Sequence, residues 1–154
     1  VRQVAYVPDS GHARLIRMAH DDPAMRAVKL TTEEEGVAML AGGWLGGQRG
    51  VLLMQSSGVG NCINMLSLTR ICRFPLLALV TMRGEFAEFN PWQVPMGAAT
   101  EAALRLTDMQ VMRAEAPQEA GEIVLAAARS VFLAGTATAV LLSQRLVGAK
   151  VFVE

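Results

Sequence analysis

The run Thr31-Thr32-Glu33-Glu34-Glu35-Gly36-Val37-Ala38-Met39-Leu40-Ala41-Gly42-Gly43-Trp44 sets three carboxylates at the head of an apolar, small-residue segment. Ala27-Val28-Lys29-Leu30 before it reads as a strand, so the carboxylates fall at a strand-to-helix junction. A helix N-terminus presents unpaired N–H groups and the positive end of a dipole, and it favours each negative charge by roughly 0.3–1 kcal/mol. That accounts for one or two of the three. Thr32 and Glu35 have capping-box spacing, Thr32 as N-cap and Glu35 reaching back to it. Glu34 is left without a structural task, at the strand end where α/β proteins place their chemistry.

Reading outward, this helix runs to a stop at Gly46-Gly47. Its residues Ala38, Ala41, Gly42 and Gly43 allow close approach by the sheet or a neighbouring subunit. Gly50-Val51-Leu52-Leu53-Met54 is an apolar run bounded by turn residues, the signature of a buried strand. It feeds Gln55-Ser56-Ser57-Gly58-Val59-Gly60-Asn61 and then a helix through Ile63, Leu66 and Leu68. A strand, a glycine loop and a helix N-terminus can also cradle phosphate. However, the dinucleotide pattern G-x-G-x-x-G would need glycine where Ile63 stands, and no P-loop motif occurs.

Pro75–Thr81 reads as another buried strand, followed by a long connection, Met82–Gly97, that holds most of the aromatic residues. Long connections in compact domains are usually functional. Ala99–Leu106 reads as a helix and Asp108–Met112 as a short strand. Pro117 starts a helix with Ile123, Val124, Ala127, Val131 and Phe132 on one stripe, and Gly135 stops it. Ala137–Leu142 is the last strand, and the tail Val147–Glu154 is expected to extend outward to a partner. At the start, Val4–Val7 is a short strand broken by Pro8-Asp9-Ser10-Gly11, with Asp9 or Ser10 placed to cap the helix that follows. The sum predicts an α/β fold, a three-layer, doubly wound, mostly parallel six-stranded sheet forming one domain over residues 1–154.

The totals narrow the partners. Fourteen basic and fourteen acidic residues cancel, which leaves no electrostatic footprint for nucleic acid or a membrane surface. Hydrophobic content is 52% and mean hydropathy +0.33, yet no apolar run approaches the roughly 20 residues of a membrane span. Helices rich in Ala, Gly, Met and Leu are therefore expected either to bury surface against partner subunits or to pad the core with Met. Cys62 and Cys72 lie on one predicted helix, ten positions apart, and cannot meet. They read as free thiols in a reducing compartment, with no Cys/His cluster for a metal. With no leader pattern in view, a cytoplasmic location is expected.

Glu34-Glu35-Gly36-Val37-Ala38, running on to Gly43-Trp44, resembles the pyrimidine-binding (PYR) domain of thiamine-diphosphate enzymes, and Gln55–Asn61 is the second landmark of the resemblance. The similarity covers essentially the whole chain and is greatest to sulfopyruvate decarboxylase alpha subunits, then to phosphonopyruvate decarboxylases. In that family a glutamate precedes a small-residue helix ending in Gly plus an aromatic. Counting back from Gly43-Trp44 places it on Glu34. The resemblance implies that Glu34 meets the aminopyrimidine N1′ as the catalytic carboxyl. It implies that Ser57, Gly58, Val59 and Gly60 form the small-residue wall beside the pyrimidine ring.

The resemblance also names substrate candidates. The turn after the first strand makes Ser10 and His12 candidates; otherwise Ser10 is a cap and His12 an exposed helix residue. Arg83-Gly84-Glu85 resembles the loop of the same decarboxylases, so Arg83 could hold a sulfonate, phosphonate or carboxylate. Its alternative is an ion pair with Glu85 or Glu88. Gln93 is a further polar candidate in that connection. The family binds the cofactor's diphosphate through Mg²⁺ on a Gly-Asp-Gly…Asn-Asn segment, and neither half occurs in this chain. No metal ligand is therefore expected here. The expected partner is a diphosphate-binding (beta, PP-domain) subunit carrying Mg²⁺ and completing the active site of a 2-oxo acid decarboxylase. A carboligase built from the same parts, or a non-catalytic assembly module, are the alternatives.

Overall fold

The computed structural model describes residues 1–148, so most of the tail expected to reach a partner lies outside the described residues. Six strands alternate with helices: β1 (Gln3–Tyr6), α1 (Ala13–Asp21), β2 (Arg26–Lys29), α2 (Glu33–Leu45), β3 (Gly50–Gln55), α3 (Ser56–Ile71), β4 (Leu76–Thr81), α4 (Val94–Leu106), β5 (Gln110–Ala114), α5 (Pro117–Ala134), β6 (Ala137–Leu142) and α6 (Gln144–Val147). Two 3₁₀ turns, Ser10–His12 and Pro91–Gln93, precede α1 and α4. The strands form one sheet in the order β2-β1-β3-β4-β6-β5, and every pairing is parallel.

Register explains the two cores. Val28, Ala5, Leu52, Ala78, Ala139 and Val111 sit side by side across the six strands and point to one face. There they meet Val37 and Leu40 of α2, Val59, Cys62 and Leu66 of α3, and Leu104 of α4. Their neighbours Val4, Val51, Leu53, Leu77, Leu79 and Val140 point to the opposite face, against Ala19 of α1 and Ala127 and Val131 of α5. A parallel sheet covered on both faces needs continuous apolar strands. β4 is buried throughout, and β3 from Val51 to Met54.

Three boundaries differ from the sequence reading. The glycine segment Ser56–Gly60, expected as a loop, is the first turn of α3 and follows β3 directly. The strand expected at Asp108–Met112 runs over Gln110–Ala114, because Asp108 takes a positive φ in the turn that ends α4. The long connection after β4 is shorter than expected, since α4 begins at Val94. Its first turn packs flush on the main chain after β4. A Cβ at Gly97 would lie 2.1 Å from the Arg83 carbonyl oxygen, so only glycine permits the approach.

The chain leaves β1 toward β2 and then returns to the other side of β1 to lay down β3. This reversal opens a crevice beyond the carboxyl ends of the strands, where ligands bind in open α/β sheets. The segments after β1, β2, β3 and β4 all meet this edge. Ser10 and His12 lie in the 3₁₀ turn after β1, Glu34 and Ser57–Gly60 in the first turns of α2 and α3, and Arg83 and Gln93 in the connection between β4 and α4.

Candidate active site

The three carboxylates at the head of α2 have three different fates. Glu35 accepts hydrogen bonds from the N–H groups of Thr31 (2.8 Å) and Thr32 (3.4 Å), the reach-back half of the capping box. Glu33 turns inward, only 7% exposed, and accepts from Asn61 Nδ2 of α3 at 2.9 Å. Glu34 is exposed and has no hydrogen bond or ion pair among the described residues. The carboxyl expected to meet the cofactor is thus the free one in this chain, and the buried one is its neighbour.

Sequence reasoning missed Glu33. Its environment is set by Gly58 in the first turn of α3, where a Cβ would lie 2.3 Å from Glu33 Oε1. Gly58 is therefore the seat of a carboxylate, a reason for glycine that only the tertiary contact reveals. Gly58→Ala would push Glu33 off Asn61. Overpacking of roughly 1–3 kcal/mol lowers the unfolding midpoint by on the order of 5 °C, measurable by circular dichroism of the isolated chain.

The adjacent thiol reports the same charges. Burial pushes Cys62 up to about 12, with Glu33 and then Glu34 adding to it. It remains a protonated thiol, excluded as a nucleophile. Both cysteines are free.

The first strand's loop is organised by Asp9. Its carboxylate accepts from Gly11 N–H (3.0 Å), Gln55 Nε2 (3.0 Å) and Thr81 Oγ1 (2.7 Å). Burial opposes its charge, but the hydrogen bonds from Thr81 and Gln55, nearby His12 and the Gly11 N–H outweigh it, so its pKa lies below the ordinary value. His12 is not the exposed helix residue of the alternative reading. The 3₁₀ turn swings it inward, 2% exposed, with Nε2 at 3.3 Å from the Met54 carbonyl and 3.1 Å from that of Leu79. Carbonyls only accept, so Nε2 carries the proton and ties β3 to β4. Burial holds the ring's pKa down, against Asp9 and the two carbonyls, and keeps it neutral.

Arg83 takes the ion-pair alternative. Its Nε and one terminal nitrogen donate to the two Glu88 oxygens, each at 2.6 Å, and the side chains are 7% and 3% exposed. Glu88 also accepts from the N–H groups of Gly84 and Asn90 and from Gln144 Nε2. The Gln144 oxygen in turn accepts from the N–H groups of Glu85 and Phe86, and Glu85 pairs with Arg113 of β5. The Arg83 hydrogen bonds lead in holding Glu88 at about 2, against an ordinary 4.5. A depressed carboxyl contributes stability that is complete above its unfolded pKa and lost as the pH falls through the folded one. The unfolding midpoint is therefore expected to fall between pH 4.5 and about 2, less steeply in Glu88→Gln, as read by thermal melts across that window.

Ser10 and Arg83 line one cavity of about 160 Å³ with Asp9, Gly11, Thr81, Val147 and Gly148. Gln93 is not among the residues that line it; its main chain packs on Gly84. Gln93 Oε1 is the one buried side-chain polar atom without a hydrogen bond among the described residues. Buried polar groups are almost always satisfied, and this acceptor is enclosed by its own chain. No cluster of three or more potential metal ligands occurs among the described residues, and none of their helices is long and apolar enough to cross a membrane.

No protein-family model matches the chain. Curated relatives do. The sulfopyruvate decarboxylase subunit alpha of Methanothermobacter thermautotrophicus is 38% identical over 119 residues, 77% of this chain and 72% of the relative. That of Methanococcus maripaludis is 33% identical over 122 residues, 79% of this chain and 73% of the relative. The chain belongs to the sulfopyruvate decarboxylase alpha-subunit family. A phosphonopyruvate decarboxylase of Streptomyces viridochromogenes is 41% identical over 112 residues, 71% of this chain but 28% of that longer protein. These relatives are named as decarboxylases, which are carboxy-lyases.

In three dimensions the chain matches a 2-oxoglutarate:ferredoxin oxidoreductase from Magnetococcus marinus, with a TM-score of 0.78 and 13% identity, over 96% of this chain and 27% of that one. This likeness shows a shared fold. The residues present suit the pyrimidine ring that the sequence resemblance implies: an unpartnered carboxylate on α2 and small residues opening α3.

Proposed function

We propose that this chain is the pyrimidine-side subunit of a two-chain thiamine-diphosphate-dependent decarboxylase of acidic 2-oxo acids such as sulfopyruvate. The observation that carries this reading is Glu34, the one carboxylate of three at the head of α2 with no structural partner among the described residues. Exposure in the lone chain is what a shared site requires, because the walls that bury Glu34 come from the second subunit. Burial there would disfavour its charge and suit a carboxyl that shares a proton with a ring nitrogen.

The bound cofactor supplies an electron sink for the electrons left when carbon dioxide departs. This chain does the rest of its half. Glu34 holds a proton at its carboxyl beside the pyrimidine. Of the four residues expected to wall the ring, half-buried Ser57 and exposed Gly60 can face it, whereas Gly58 is packed on Glu33 and Val59 lies in the core, so these two shape the turn from behind. The exposed Ser10 hydroxyl reaches the substrate from the β1 loop. Gln93, in the connection after β4, would have to turn its buried oxygen outward to meet a ligand donor. His12 and Arg83 serve as positioning residues, since both are spent on internal partners. The positive charge for an anionic substrate group then comes chiefly from the second subunit, which also holds Mg²⁺ and the diphosphate.

The surface of α2, α3 and α4 supports a partner. Leu45, Ile71 and Leu106 are 87%, 73% and 84% exposed, and Ile63 of α3 is also exposed. The test is carbon dioxide release from sulfopyruvate, with thiamine diphosphate and Mg²⁺, by this chain alone, by its diphosphate-binding partner alone and by both. Turnover by the pair only is expected. Tight cofactor binding by the isolated chain, or activity without the partner, would overturn the shared site.

A further inference from the structure

Asp9, Gln55 and Ser57 form a line of hydrogen bonds from the Ser10 loop to the first turn of α3. Gln55 Nε2 donates to Asp9 Oδ1 at 3.0 Å, and Ser57 Oγ donates to Gln55 Oε1 at 2.7 Å. The direction of this line is dictated by one charge. An ionised carboxylate only accepts, so Asp9 obliges Gln55 to present its NH₂. The Gln55 carbonyl is then turned to Ser57, and a carbonyl also only accepts. The Ser57 hydroxyl proton is thereby committed inward, and what the half-buried Ser57 oxygen offers outward is lone pairs. Thr81 and Gly11 hold Asp9's other oxygen, so the carboxylate cannot rotate out of the line.

We propose that Asp9 is a positioning residue that sets the polarity of the cofactor wall: through Gln55 it fixes Ser57 as a hydrogen-bond acceptor toward a donor on the ligand, such as an amino group. This rests on the reading of Ser57 as part of the cofactor site, and it goes beyond that reading by assigning Ser57 a direction and Asp9 and Gln55 a role.

The polarity can be reversed and restored. In Asp9→Asn the side-chain oxygen still serves Thr81 and Gly11, and the new NH₂ faces Gln55. The Gln55 amide must flip, Ser57 becomes an acceptor toward Gln55, and its proton turns outward against the ligand's donor. Gln55→Glu sets two carboxylates face to face. The double variant Asp9→Asn/Gln55→Glu rebuilds the line: the amide introduced at position 9 donates to the new carboxylate, which accepts from Ser57.

The three variants are compared in the two-chain enzyme for the apparent KM of thiamine diphosphate and kcat at saturating cofactor, and in the isolated chain for the unfolding midpoint. Asp9→Asn is expected to raise the cofactor KM roughly tenfold, the size of one hydrogen bond lost and set against a donor, with kcat nearly unchanged. The double variant should recover most of that KM and most of the lost midpoint. A double variant no better than the worse single, or a folded Asp9→Asn with the parent's cofactor KM, overturns the proposal. If the parent pair binds no thiamine diphosphate, the functional reading and the cofactor role fail together. The midpoint cycle still decides the hydrogen-bond line by its presence or absence of recovery.

Discussion

Glu34→Gln is expected to lower kcat of the two-chain enzyme by about 10²–10⁴-fold, the range for loss of a positioned proton donor or acceptor. The amide keeps the shape of the side chain and removes its ability to hold and return a proton. Stability should hardly change, because Glu34 is exposed and unpartnered among the described residues, and only the helix-dipole contribution of about 0.3–1 kcal/mol is lost. Glu33→Gln is the internal control. It alters the carboxylate that is packed under Gly58 and bound by Asn61, so it should cost stability rather than turnover. Steady-state decarboxylation and thermal melts of both variants distinguish the roles. Full turnover in Glu34→Gln would remove the catalytic assignment and favour an assembly module.

Arg83→Met is expected to cost roughly 3 kcal/mol of stability, the low end of the range typical when one partner of a buried ion pair is removed. Glu88 would stay almost fully enclosed without its counter-charge. The remaining donors, Gly84 N–H, Asn90 N–H and Gln144 Nε2, soften the loss. In urea the midpoint should drop by roughly 1–2 M, and the pair Arg83→Met/Glu88→Leu should regain much of it, since no uncompensated charge is left. A single variant as stable as the parent would show that the pair is solvated and that Arg83 is available to a substrate anion.

Much of this architecture is legible in the sequence because its signals are local. The apolar run from Val51 to Met54, the 3.6-residue stripe from Ile123 to Phe132 and the stop at Gly135 each depend on neighbours in sequence, and each element stands where it is expected. The capping role of Glu35 is legible for the same reason. What stays hidden depends on contacts between distant segments. Glu33 and Glu34 are chemically identical and adjacent. Only a difference of one step around the helix, and a glycine far along the chain at Gly58, makes one buried and the other free. The burial of His12 is not announced, because nothing in Ser10-Gly11-His12 signals a 3₁₀ turn that carries the ring over two strand ends. The choice between Glu85 and Glu88 as the partner of Arg83 is open in the sequence. It is decided by the turn after Gly84 and by Gln144, whose amide holds both sides of that turn.

The bracing of the β4–α4 connection has a consequence for traffic through the proposed enzyme. Arg83, Glu88, Gln144, Glu85 and Arg113 lash this segment to β5 and to the start of α6. A segment fastened at so many points does not swing open and shut with every catalytic cycle. Admission of substrate and escape of product would then be timed from across the subunit boundary, with this chain as the fixed jamb and the second subunit as the door.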